Sequence, residues 1–128
     1  MGNVLVDPAT IPEVNAAGLI VKNLIGPATV GAKNIRMGTC RVPRGSSTSL
    51  NYHPSEEAFA ILKGEGYLKA AGEKYYFRPG HFLYVPADVV HQMVNTGDEE
   101  IEYLFVVSPP FDLSAVRLAE ESPSTPEN

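Results

Sequence analysis

The chain has 128 residues, 44% of them hydrophobic and 20% charged, which is the balance of one globular domain and excludes wholesale disorder. Ten Lys and Arg against 15 Asp and Glu give a formal charge of -5, and with no run of basic residues this argues against a nucleic-acid partner. Eleven glycines and 11 prolines, about 17% of the chain against roughly 12% on average, are spread along it and match short strands joined by tight turns rather than a helical bundle.

In chain order, residues 1–17 contain Pro8 and Pro12 and read as an extended arm. Strands are expected over 19–25 and 30–42, separated by Gly26-Pro27, and a Pro-x-Gly turn follows at 43–45. The next strands read over 47–53 and 57–63, with Pro54 between them, then over 67–71 after the Gly64-Glu65-Gly66 turn. A hairpin at 71–73 leads into 74–78, Pro79-Gly80 turns again, and 81–85 ends at Pro86. Two more strands, 90–95 and 100–107, flank the Thr96-Gly97-Asp98 hairpin signal, and Pro109-Pro110 stops the sheet. A short helix is expected over 111–119, capped by Asp112 or Ser114, and a Pro-, Ser- and Glu-rich disordered tail over 120–128. Turn signals every 8 to 12 residues across 18–110 predict an all-β antiparallel sandwich or barrel of the jelly-roll kind.

A single cysteine, Cys40, has no internal partner and fits a reducing compartment. The first residues lack the basic and apolar regions of a signal peptide, and the longest apolar run, 103–107, is too short to span a bilayer, so the expectation is a cytoplasmic protein without a membrane partner.

Two of the three histidines stand in unusual company. In Asn51-Tyr52-His53 the first and third side chains share one face of a strand, Pro54 breaks it, and Glu57 opens the antiparallel neighbour, where its side chain can meet His53. His91 follows Pro86 on a further strand. Two imidazoles and a carboxylate converging in a barrel make a facial triad that leaves metal positions open.

These residues resemble the cupin family. Its first motif runs Gly, five residues, His-x-His, three or four residues, Glu, six residues, Gly, and Gly45, Asn51-Tyr52-His53, Glu57 and Gly64 keep that spacing. Its second runs Gly, five residues, Pro-x-Gly, two residues, His, three residues, Asn, matched by Gly80, Pro86, Asp88, His91 and Asn95. The resemblance spans 45–95, extends through the flanking strands to about 18–110, and implies a double-stranded β-helix, a divalent transition-metal ion, a small-molecule substrate and a homodimer. Asn51 stands where the family has its first His; an amide oxygen is a harder, weaker ligand than imidazole, which favours Fe(II) or Mn(II), with Ni(II), Zn(II) or Cu(II) as alternatives. Asp88 stands at the motif glycine, a position that Asp tolerates in left-handed backbone.

The metal set is thus His53, Glu57 and His91, with Asn51 either a further ligand or a hydrogen-bond partner of a metal-bound water, and the candidate general base is Glu57 released from the metal or a metal-bound hydroxide. Parity along the strands places Phe59 and Ile61 with Glu57, and Met93 with His91; with Phe105 they are candidate walls of a substrate pocket. Arg36 shares a face with Cys40 and, pointing inward, would anchor a carboxylate. His81, at a Pro-Gly turn, and Glu56 read as surface residues, and Asn95 as a structural one. The leading functional expectation is an Fe(II)- or Mn(II)-dependent dioxygenase-type oxidoreductase acting on a small, partly apolar molecule. The alternatives are a non-redox isomerase or lyase at the same ion, and a non-catalytic small-molecule-binding module.

Overall fold

The computed structural model describes residues 4–16, 18–111 and 115–119. Its strands are β1 (Val14–Ala16), β2 (Leu19–Ile25), β3 (Arg36–Val42), β4 (Asn51–Tyr52), β5 (Glu56–Lys63), β6 (Gly66–Ala70), β7 (Glu73–Phe77), β8 (Phe82–Val85), β9 (His91–Asn95), β10 (Ile101–Ser108) and β11 (Arg117–Leu118). They form two antiparallel sheets, a six-stranded one ordered β1-β2-β3-β10-β5-β8 and a five-stranded one ordered β11-β4-β9-β6-β7. The inner faces meet over one core, in which Ile101, Tyr103, Phe105 and Val107 of β10 alternate strictly with half-buried neighbours, as a one-sided strand requires.

Three expected segments differ from what forms. The strand expected from residue 30 starts at Arg36, because the amides of Thr29, Val30 and Ala32 all fold back onto the carbonyl of Gly26 and close a loop. Of 47–53 only Asn51–Tyr52 is a strand: Thr48 first follows β9, exchanging bonds with Met93 through its amide and its hydroxyl, and the chain then diverges. Beyond β10, Asp112–Ser114 lie outside the described residues, and Arg117 and Leu118, expected within a helix, form a strand on Tyr52 and Asn51. Backbone groups of β4 would otherwise stand open at the sheet edge, and Ala119 adds its amide to the Leu50 carbonyl. The N-terminal arm also contributes: Val14–Ala16 pairs with β2.

The two motif turns need left-handed backbone. Gly64 has φ +88°, and a Cβ there would lie 2.7 Å from the Glu100 carbonyl oxygen. Asp88, at the motif's glycine position, adopts φ 63°, and its amide donates to the His53 carbonyl at 2.8 Å, so the second motif is hooked onto the first. Asn95 closes the other end of the barrel. Its buried amide donates to the carbonyls of Val42, Pro43 and Glu99, and its oxygen accepts from Gly97 N–H. A buried polar group left without a partner costs roughly 1–3 kcal/mol, so Asn95→Ala is expected to lower the unfolding free energy by about 2–3 kcal/mol. Denaturant titration checks this as a lower midpoint with unchanged slope.

Candidate functional site

β4 lies in the five-stranded sheet and β5 in the six-stranded one, so the residues joining them cross from layer to layer. His53 sits on that crossing, Glu57 at the start of β5, and His91 at the start of β9 in the opposite sheet. One ligand atom from each lies within 4.8 Å of the others. The Glu57 carboxylate is 3.1 Å from His53 Nε2 and 3.8 Å from His91 Nε2, and the imidazoles meet edge to face with centroids 4.9 Å apart. Both histidines are buried, and Glu57 is nearly so.

Backbone carbonyls set both tautomers. His53 Nδ1 is 3.0 Å from the Ser55 carbonyl and His91 Nδ1 is 2.8 Å from that of Val89. A carbonyl only accepts, so each Nδ1 carries a proton and each Nε2 is the nitrogen turned toward Glu57, with that of His53 at hydrogen-bond distance from the carboxylate. Burial holds His91 below its usual value, against the opposing pull of the Val89 carbonyl and Glu57, which keeps the ring neutral near pH 7. Two ring nitrogens and a carboxylate therefore face one point. A proton on His53 Nε2 would relieve one contact, whereas a cation between the three relieves all. The donor set fits a divalent ion on these grounds, and imidazole fixed by a backbone acceptor at its other nitrogen is the usual state of a metal-ligating histidine. Ser55, wholly buried, donates its hydroxyl to the Pro109 carbonyl and so holds the segment that orients His53.

The cluster opens into a cavity of about 320 Å³. Of the residues expected there, Asn51, Phe59, Met93, Phe105 and Arg36 line it beside the His53, Glu57 and His91 cluster. Asn51 stands opposite His91 in the β4–β9 register and donates its amide to the Ser49 carbonyl at 2.9 Å, leaving its oxygen as the group it can offer. Ile61 is not part of the wall. It is buried in the core beside the cavity, in register with Tyr103, whose ring packs edge to face on Phe59 at 5.1 Å. His81 and Glu56 are exposed, the latter accepting from the Tyr84 hydroxyl at 2.8 Å.

Other lining residues escape a reading of the motifs. Leu19, Val21 and Asn23 line the cavity from alternate positions of β2, a periodicity that is visible in the sequence. Phe111 and Val116 come from beyond Pro109-Pro110, where no periodicity signals them. Phe111 stacks on His53 with centroids 4.6 Å apart and planes 20° apart. Its ring also lies 5.0 Å from the Arg36 guanidinium, which contacts Phe105 at 5.3 Å and donates from Nη1 to Asn23 at 2.6 Å.

A family model for the cupin domain matches residues 38–107. The chain belongs to the cupin family. This cupin is 34% identical over 106 residues to the protein named polyketide synthase CurC of Streptomyces cyaneus, covering 82% of this chain and 69% of the relative. It is 31% identical over 113 residues to auxin-binding protein T85 of Nicotiana tabacum, covering 78% of this chain but only 60% of that protein. Among solved structures, the polyketide cyclase RemF of Streptomyces resistomycificus superposes with a TM-score of 0.73 at 22% identity, over 93% of this chain and 87% of that one, a likeness of fold.

Cys40 lines the same cavity as a thiol rather than a nucleophile. Burial pushes it up to about 12, although the Tyr103 hydroxyl donates to it. At pH 8 its thiolate fraction is then on the order of one in ten thousand. Ellman's reagent is expected to label the native protein far more slowly than a free thiol, and to react with one equivalent at once in guanidinium chloride.

Proposed function

We propose that this cupin is a metal-dependent enzyme acting on a small, largely apolar organic molecule bound inside the barrel. The observation that carries the reading is the buried meeting of His53 Nε2, His91 Nε2 and the Glu57 carboxylate, with both ring tautomers set for ligation. Asn51 is proposed as a fourth oxygen ligand. A divalent ion held there would supply a Lewis acid for a substrate oxygen and, as Fe(II) or Mn(II), electron transfer as well.

The chain's own residues supply the rest. Phe59, Met93 and Phe105 keep water from the reacting end and hold the apolar body of the substrate. The Tyr103 hydroxyl, buried and pushed well above its usual value by that burial, stays protonated at the cavity wall. Glu57 is the one carboxylate among the described residues at the cavity and would be the proton acceptor if it swings from the ion.

Two reaction classes draw support from different observations. Two histidines with one carboxylate is a donor set of iron oxygenases, which favours the dioxygenase-type reading. Kinship with proteins named polyketide synthase and polyketide cyclase favours a non-redox reaction on a ring-forming or ring-bearing substrate, of the isomerase or lyase kind. A substrate-binding role without turnover is the reading that kinship with auxin-binding protein supports. Exposed Leu62, Phe82 and Tyr84 on the outer side of β5 and β8 support the expected homodimer.

Elemental analysis after loading with Fe(II) or Mn(II) is expected to find about one ion per chain, and His91→Ala and Glu57→Gln to lower the occupancy at least tenfold. No bound metal in the wild type would sink the enzyme reading. Oxygen uptake by the Fe(II)-loaded protein with phenols and diketones assigns the oxygenase, and turnover without uptake assigns the non-redox class.

A further inference from the structure

Arg36 is half-buried, faces the cavity, and is not spent on the His53, Glu57, His91 cluster. Arg36, Val107 and Glu57 occupy one row across β3, β10 and β5, so the guanidinium and the carboxylate look inward from positions two strand spacings apart, roughly 10 Å. Among the described residues Arg36 forms no ion pair, and its one hydrogen bond is from Nη1 to Asn23. Its Nε is buried without a partner, while its flat face rests on Phe105 and Phe111. A guanidinium has five N–H donors in a plane, and the buried Nε is the one left unmet here. Asn23 and the two rings hold the group in place without supplying the anion that would pair with its free edge.

The wall between the two polar ends is apolar and ringed by Phe59, Tyr103, Phe105 and Phe111. At about 320 Å³ the cavity is at the small end of ligand pockets, room for one or two fused rings rather than a long chain. Its two polar poles are opposite in kind, one a cation and the other a set of metal-type donors.

We infer that Arg36 is the specificity determinant of this cavity, binding the carboxylate of a flat aromatic acid whose far end reaches the His53, Glu57 and His91 cluster. The inference deepens the function proposed above and rests on it only for what happens at that far end. Planar carboxylate and planar guanidinium match in geometry, which a lysine or an amide could not reproduce. The acid would complete the donors that Asn23 leaves unused. Its ring would continue the stack that Phe111 begins on His53.

The test compares 2-naphthoate with 2-naphthamide, which have the same shape and differ in charge, titrated by their own fluorescence against a chain that has no Trp. Wild type is expected to bind the acid about tenfold tighter than the amide or better, both metal-loaded and after chelator stripping. Arg36→Gln is expected to bring the ratio close to one while leaving amide affinity within about threefold. Arg36→Met keeps the apolar stem against Phe105 and Phe111 and serves if the Gln variant does not fold. Equal affinities in wild type, or a preference for the acid that survives in Arg36→Met, overturns the inference. A preference that vanishes on stripping assigns the carboxylate to the metal and also overturns it. If no metal binds but the Arg36-dependent preference stands, the metal reading falls and this inference does not.

Discussion

A carboxylate and two imidazoles buried together inside an apolar barrel impose the main constraint on this chain. Bringing a charged carboxylate out of water costs several kcal/mol unless opposite charge and hydrogen bonds answer it. The structure prepares the answer in the backbone: carbonyls of Ser55 and Val89 hold the two Nδ1 atoms, so both Nε2 atoms are turned toward Glu57, at 3.1 and 3.8 Å. Those carbonyls are themselves held. Ser55 is anchored to Pro109, and the Asp88 amide grips the His53 carbonyl beside it, tying the loop before β9 to the loop after β4.

Neither sheet carries the site alone. The six-stranded sheet contributes Glu57, Phe59, Phe105 and Arg36, the five-stranded sheet Asn51, His91 and Met93, and His53 stands where the chain passes between them. Any loosening of the two layers therefore separates side-chain atoms that lie within 4.8 Å of one another. β10 supports both tasks. Its inward residues fill the core at Ile101 and form cavity wall at Tyr103 and Phe105, with Val107 between Arg36 and Glu57. Gly38, opposite Phe105, leaves room for that ring, since a Cβ there would stand 3.0 Å from it and 1.9 Å from the Lys22 carbonyl.

Much of this was legible in advance, and the exceptions share a cause. β2 forms over its expected residues, and the later strands from β5 to β10 lie within a residue of expectation, because each is bounded by local turn chemistry. Parity alone put Phe59, Phe105 and Met93 in the cavity with the cluster. Ile61, of the same parity, is buried in the core and does not line that cavity, since alternation gives the side of a sheet and not which inward residues border an open space. Parity failed where local pattern is weak: Arg117 and Leu118 join β4 because an open edge was available, and Phe111 reaches His53 through the path of the chain after Pro109-Pro110.

What the sequence determined by itself is the set of corners and the polar residues between them. Gly45, Gly64, Gly80 and Pro86 at fixed spacing specify turns through their backbone freedom or rigidity, and with His53, Glu57 and His91 they mark the family. Only the tertiary structure decided which way the rings turn, how large the cavity is, and that Arg36 enters it with unused donors. Cavity volume and an unmet hydrogen bond depend on atoms from strands distant in sequence, the ring orientations depend on how the backbone turns at Ser55 and Val89, and spacing along one chain carries no information about either.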